Sequence, residues 1–133
     1  MLTKIQLRWL EALESGKYNQ GIGNLKSNDR YCCLGVACEL LGLSQKIEDG
    51  MIYFGYDHSY HSAIMPYTSW KLLGLKDGSG YFEELNIDGN IIKNRTLAFL
   101  NDSGWTFKQI ANVIRKNPEV FFVDDNVLSP TGV

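Results

Sequence analysis

Apolar positions recur at helical spacing near both ends of the chain. Ile5, Trp9, Leu10 and Leu13 fall on one stripe. Thr3 is placed to cap that helix, Gln6 three residues on completes a capping box, and Leu2 and Leu7 stand where a hydrophobic staple would. Ser15-Gly16 ends it. Late in the chain, Phe107, Ile110, Ala111 and Ile114 form a second stripe, opened by Thr106 with Gln109 as its box partner and Trp105 with Ile110 as its staple. Asn117 should end or kink this helix, because a residue before proline avoids the helical region. Just upstream, "NRTLAFLNDSG" predicts a short helix stopped by Gly104.

The middle of the chain is less regular. "KYNQGIGNLKSNDR" reads as a long ordered loop or irregular hairpin with "KSND" as a turn. An apolar run then predicts a helix from about Tyr31–Cys33 to Leu41, followed by Gly42. "LSQKIEDG" reads as a crossing to a strand, "MIYFGY", and "DHSYHSAI" as a loop. Pro66 opens a short helix, "PYTSWKLLGL", and "KDGSG" is a turn. "YFEELNIDGNII" predicts two short strands about Asp88-Gly89. The sum is a single α+β domain over 1–133, with four or so short helices, a small antiparallel sheet or hairpin, and a loose polar tail from about 124.

Composition narrows the function classes. The chain has 133 residues, 44% hydrophobic and 21% charged, which suits one globular domain rather than a disordered chain. A net charge of −2 argues against holding duplex DNA through its phosphates. "LAFLNDSGWTFKQIANVI" has the outline of a helix-turn-helix, yet Lys108, Arg115 and Lys116 are the cations of its second helix, so a structural corner is the better reading. The charged N-terminus is not a secretory signal, and no stretch has the apolar length of a membrane span. Three cysteines, two of them adjacent, make no disulfide framework. Buried thiols in a reducing cytoplasm are the simplest expectation.

Three kinds of chemistry can be drawn. Cys32 and Cys33 lie near a helix N-terminus, which lowers a thiol pKa. With His58 or His61 as base and Asn101 or Asp102 as orienter they would make a thiol hydrolase, against the plainer reading of small core residues. A metal site is not expected, because no cysteine or histidine spacing supplies matched ligands. The third is a polar binding surface. Lys17, Tyr18, Asn19, Gln20, Arg30 and Tyr31 come from one loop, and Asn101 and Asp102 from the later corner. Cations, amides and aromatics together suit a phosphorylated base. No phosphate-loop or dinucleotide fingerprint is present, and no cofactor is expected.

Four segments, "WLEALESGKYNQGIGNL", "RYCCLGVACELLGL", "MPYTSWKLLGL" and "LAFLNDSGWTFKQIANVI", resemble a family of small, mostly uncharacterised bacteriophage and prophage proteins. Its members show "SGxYxQGxGxL", "FCCLGVLCDL", "LPxxVxxWxGL" and "LAxLNDxGxxFxxIAxxI" in that order. Here Tyr31 replaces a usual Phe, Ala37 a Leu, Glu39 an Asp and Met65 a Leu, swaps that keep size or charge. The resemblance implies phage origin, a cytoplasmic setting in the infected host cell and an accessory role, without an established reaction. Within the motifs, Gln20, Asn101 and Asp102 are polar enough to serve a site.

Small phage proteins without an enzyme signature often act on host defence. The leading expectation is a non-enzymatic protein that binds and hides a nucleotide second messenger, a cyclic nucleotide or ADP-ribose derivative. Lys17, Gln20, Arg30 and Asn101 would hold it, with Tyr18 or Tyr31 stacking. Such sponges are often homo-oligomers with sites at subunit boundaries. The first rival is an inhibitor of a host defence protein, docking through Tyr53, Phe54, Tyr56 and Tyr60, and the second is the cysteine hydrolase.

Overall fold

A computed structural model describes residues 2–56 and 59–123. Helix α1 (Lys4–Ser15) begins as its caps dictate: Gln6 N donates to Thr3 Oγ1 at 3.2 Å and Thr3 N to Gln6 Oε1 at 2.9 Å. Gly16, at φ 79°, closes it in the left-handed region. Its buried stripe is Gln6, Trp9, Leu10 and Leu13, and Gln6 uses its remaining amide nitrogen to reach Leu73 O at 2.9 Å.

The glycine-rich segment that follows carries three two-residue strands, β1 (Asn19–Gln20), β2 (Lys26–Ser27) and β3 (Arg30–Tyr31), in the order β1-β3-β2 with β1 parallel to β3. It leads into α2 (Cys33–Leu40), the central pillar of the molecule, whose residues Cys33 to Cys38 are all buried. Gly35 lets this pillar sit directly on the preceding loop. A Cβ there would lie 1.7 Å from Leu25 O, which no side chain can occupy.

Three strands then form an antiparallel sheet: β4 (Ser44–Glu48), β5 (Met51–Tyr56) and β6 (Ser59–His61). Strand β4 corrects the expectation of a connector, and β6 that of a loop. Every residue of β4 is exposed, so no apolar alternation marks it. Its signal is instead the turn Asp49-Gly50, both at positive φ, which makes a two-residue hairpin. Helix α3 (Tyr67–Leu73) starts after Pro66 as expected, and β7 (Tyr81–Ile87) pairs with β8 (Asn90–Thr96) about Asp88-Gly89.

The last third is α4 (Leu97–Asp102), α5 (Phe107–Lys116) and α6 (Pro118–Phe121), with Asn117 separating the last two. The described residues hold six short helices, four of them of seven residues or more, and three small sheets, as the expected handful of helices with small antiparallel pairing requires. The fold is α+β. Its core packs α1 against α2 and α5, and α2 against α4. Trp9 meets Phe122 edge-on at 6.3 Å, and Phe82 meets Phe121 at 5.4 Å. A bidentate ion pair, Arg115 Nε and Nη2 to the Glu14 carboxylate at 2.6 and 2.9 Å, adds a tie between α5 and α1. Gly35→Ala is expected to cost more than about 3 kcal/mol in urea unfolding, because backbone meets the new methyl from a packed loop.

Candidate functional site

The expected site residues fall into three groups. The cysteines are sealed in the core. Cys32 caps α2, its Sγ accepting from Gly35 N at 3.4 Å, while the Cys33 thiol points to Leu97 O at 3.8 Å. Burial pushes the Cys32 thiol up to about 11, although backbone amides of Gly35 and Leu34 pull the other way. Cys33 and Cys38 are raised as well, burial again being the first cause. The helix N-terminus therefore does not yield a thiolate at neutral pH: desolvation outweighs the dipole. His61 lies on β6 with its ring against Ser59 Oγ at 3.3 Å, and His58 lies outside the described residues. No thiol–imidazole hydrogen bond exists among the described residues, nor any cluster of metal-ligating groups there.

The amides form the second group. Asn101 is fully buried at the end of α4. Its Oδ1 accepts from Cys33 N at 3.2 Å and Gln20 Nε2 at 2.8 Å, and its Nδ2 donates to Gly21 O at 2.9 Å and Asp102 Oδ1 at 3.2 Å. Gln20 also donates to Trp105 O at 2.7 Å and accepts from Phe107 N at 3.0 Å. Asp102 accepts from Gly23 N at 3.0 Å. The structure does bring these three together across the fold. It engages them as a clasp between loop and corner rather than presenting them to a ligand.

Lys17 and Arg30 are exposed at the loop surface, and Arg30 Nη1 donates to Gln20 O at 3.2 Å. The Tyr18 and Tyr31 rings pack edge to face at 5.3 Å, with Lys26 Nζ 5.1 Å from the Tyr31 ring centroid. Tyr31 Oη donates to Glu39 at 3.3 Å, and burial, ahead of that carboxylate, pushes the phenol up. The depression beside Arg30, about 360 Å³, includes Gln20 and Ser27 but neither tyrosine. Of the aromatic docking patch, Phe54 is fully buried and Tyr53 and Tyr60 are half-buried. The Tyr56 side chain lies outside the described residues.

A larger cleft, about 580 Å³, opens on the far side of the corner. The turn of the β7–β8 hairpin forms one wall through Asn86 and Asp88, and the α4–α5 turn supplies Trp105. The floor is one face of α5: Gln109, Asn112, Val113 and Lys116, with Asn117 at its end. The polar part of this face, Gln109, Asn112 and Lys116, lies opposite the core stripe Phe107, Ile110, Ala111 and Ile114, while the buried Val113 stands at the boundary between core and cleft. Several of these amides are half-engaged. Asn86 Oδ1 accepts from Gly89 N, Gln109 Oε1 from Thr106 N, and Asn117 Nδ2 donates to Val113 O. Among the described residues, Asn86 Nδ2, Gln109 Nε2, Asn117 Oδ1 and both polar atoms of Asn112 have no protein partner. Sequence patterning does not single out this cleft. Its available signal is the polar stripe 109, 112, 116 at helical spacing behind an aromatic staple residue, which any solvated helix face would also show.

A family described as a domain of unknown function (DUF8296) matches residues 1–118. The chain belongs to the DUF8296 family. No curated protein and no solved structure matches it. The span that carries the DUF8296 match contains both the amide clasp and the cleft. No described helix is long and apolar enough to cross a membrane.

Two measurements check this geometry. Asn101→Ala leaves a buried backbone N–H and one of the two Gln20 amide N–H groups without an acceptor, and urea unfolding should show a loss of about 3 kcal/mol. Lys17→Ala, at an exposed position, should stay within about 0.5 kcal/mol. Because the fold raises the Cys32 pKa from the ordinary 9.0 to about 11, it favours the protonated thiol. That contribution is full below pH 9.0 and is lost as pH rises towards about 11, so the urea midpoint should fall across this window. Cys32→Ala should lessen the fall without abolishing it, since Cys33 and Cys38 are raised as well.

Proposed function

We propose that this DUF8296 protein is a non-enzymatic binder of a nucleotide-type ligand, seated in the cleft between the β7–β8 turn and α5. In this reading it is a phage-encoded accessory protein that sequesters a nucleotide immune messenger in the cytoplasm of an infected bacterium. The observation that carries the reading is the cleft's lining. One indole, four carboxamides, one ammonium and the Asp88 carboxylate line a volume of about 580 Å³, the size range of small-molecule sites.

Each part has a chemical use. Trp105 offers a flat apolar wall to a heterocycle, and stacking on such a wall tolerates any base. Asn86, Gln109, Asn112 and Asn117 offer donors and acceptors to base edges and ribose hydroxyls. Lys116 supplies a cation for a phosphate, next to the α5 C-terminus. A cyclic nucleotide or an ADP-ribose derivative carries all three complements. Sealed thiols, raised away from ionisation, favour holding the ligand over turning it over.

Tryptophan fluorescence and native mass spectrometry with cyclic mono- and dinucleotides and ADP-ribose test the reading. Saturable binding is expected for at least one of them. Asn112→Ala and Lys116→Ala, both at exposed positions of α5, should each weaken it about tenfold, the worth of one hydrogen bond to a charged or polar ligand group. Lys17→Ala should leave it unchanged. A ligand recovered at altered mass would overturn the non-enzymatic reading. Silence towards every nucleotide would overturn the ligand class and turn attention to a protein target, for which α3 exposes Tyr67 at 58% and Leu72 at 62%.

A further inference from the structure

Among the described residues strand β4 is an open sheet edge, tied to the rest of the fold through Gln45, whose amide accepts from Lys26 Nζ and donates to Glu39 Oε1, each at 3.1 Å. All five of its residues are exposed, Ile47 at 71%. Among the described residues it pairs only with β5, in the register Ser44↔Gly55 through Glu48↔Met51. A two-residue hairpin makes the pair flanking its turn a hydrogen-bonded one, and such pairs alternate with non-bonded ones along the ladder. Ser44, Lys46 and Glu48 therefore direct their backbone groups to β5, while Gln45 and Ile47 direct theirs to the open edge. Neither of those two residues hydrogen-bonds through its backbone to another element among the described residues. Natural edges are usually blunted by charge or covered. Here the charges are arranged in a way that selects a partner instead.

We propose that β4 pairs antiparallel with β4 of a second copy of this chain about a two-fold axis at Ile47, joining two three-stranded sheets into one of six. Ile47 then faces its own counterpart as a hydrogen-bonded pair, and each exposed isoleucine is covered by the other. In that register Lys46 stands directly opposite Glu48 of the second copy, and Glu48 opposite its Lys46. These are non-bonded pairs, the closer kind, in which opposite charges attract across the strands. Within one chain Lys46 Nζ lies 3.7 Å from Glu48 and 5.1 Å from the centroid of the Tyr60 ring, and both charged side chains are about half exposed, so the charges are mounted on the same face and pairing across the strands would exchange these partners. The neighbouring register, centred on Lys46, sets two ammonium groups against each other and is disfavoured. Charge thus favours the register centred on Ile47 over the one centred on Lys46, and the register fixes which backbone groups meet. The occupant is a second copy because in this alignment each charge of the strand meets its opposite on an identical strand.

Native mass spectrometry and sedimentation of the full chain across a concentration series test this, independently of any nucleotide. A concentration-dependent dimer is expected. Lys46→Glu and Glu48→Lys should each weaken it roughly tenfold, since each replaces two attractive cross-strand pairs by two repulsive ones. The decisive outcome is rescue. Equal mixing of the two single variants should form a heterodimer, and the double variant K46E/E48K should dimerise like the original. A chain that stays monomeric throughout, or a dimer indifferent to both single reversals, would overturn the proposal. So would failure of the mixture to associate when the parent does. Ligand binding in the cleft beside Trp105 can fail or succeed without moving any of these results.

Discussion

The buried carboxamide of Asn101 is the contact on which the rest of the arrangement depends. Taking an amide out of water is costly unless every polar atom finds a partner, and here each does. Its partners lie far apart in sequence: the N–H that opens α2, the carbonyl of Gly21 in the early loop, and the amide of Gln20. Gln20 continues the chain of bonds to Trp105 O and Phe107 N, on either side of Thr106. The angle at which α5 leaves α4 is therefore held by a loop more than eighty positions upstream, and so is the cleft that α5 floors.

Around that clasp, α2 is packed as a pillar rather than as an amphipathic surface helix. Small residues make this possible. Gly35 accepts the Leu25 carbonyl against its backbone, and Cys32, Cys33 and Cys38 fill space that a larger side chain could not. The chemical consequence is that burial governs the thiols. Their position at a helix start would favour the thiolate, but the loss of solvent is the larger effect, and the protonated form prevails.

Function is then pushed to the periphery, where side chains are held but not consumed. The two faces of α5 divide the work, one entering the core and one flooring a cleft walled by a hairpin turn. The sheet around β5 shows the same division along its length. Its β5 residue Phe54 is buried in the core, whereas every residue of β4 is exposed. Such a strand keeps its structure through the tight Asp49-Gly50 turn and its ladder to β5, since core burial contributes little to it.

Local chemistry was enough to determine the elements whose causes lie within a few residues. The Thr3–Gln6 and Thr106–Gln109 boxes, the stop at Gly16, the break at Asn117 and the Asp88-Gly89 hairpin all follow from caps, stripes and turn residues. The same holds for the α+β class and for buried cysteines. Strand β4 escaped such reading because exposure on both faces removes the alternation by which strands announce themselves. The roles of Gln20 and Asn101 could not be read locally either. A carboxamide is equally suited to a ligand, a cap or a buried clasp, and the choice depends on what stands opposite it. Only the tertiary structure, by bringing residues 20, 33 and 101 to one point, decided that these amides hold the fold and that the open amides line α5.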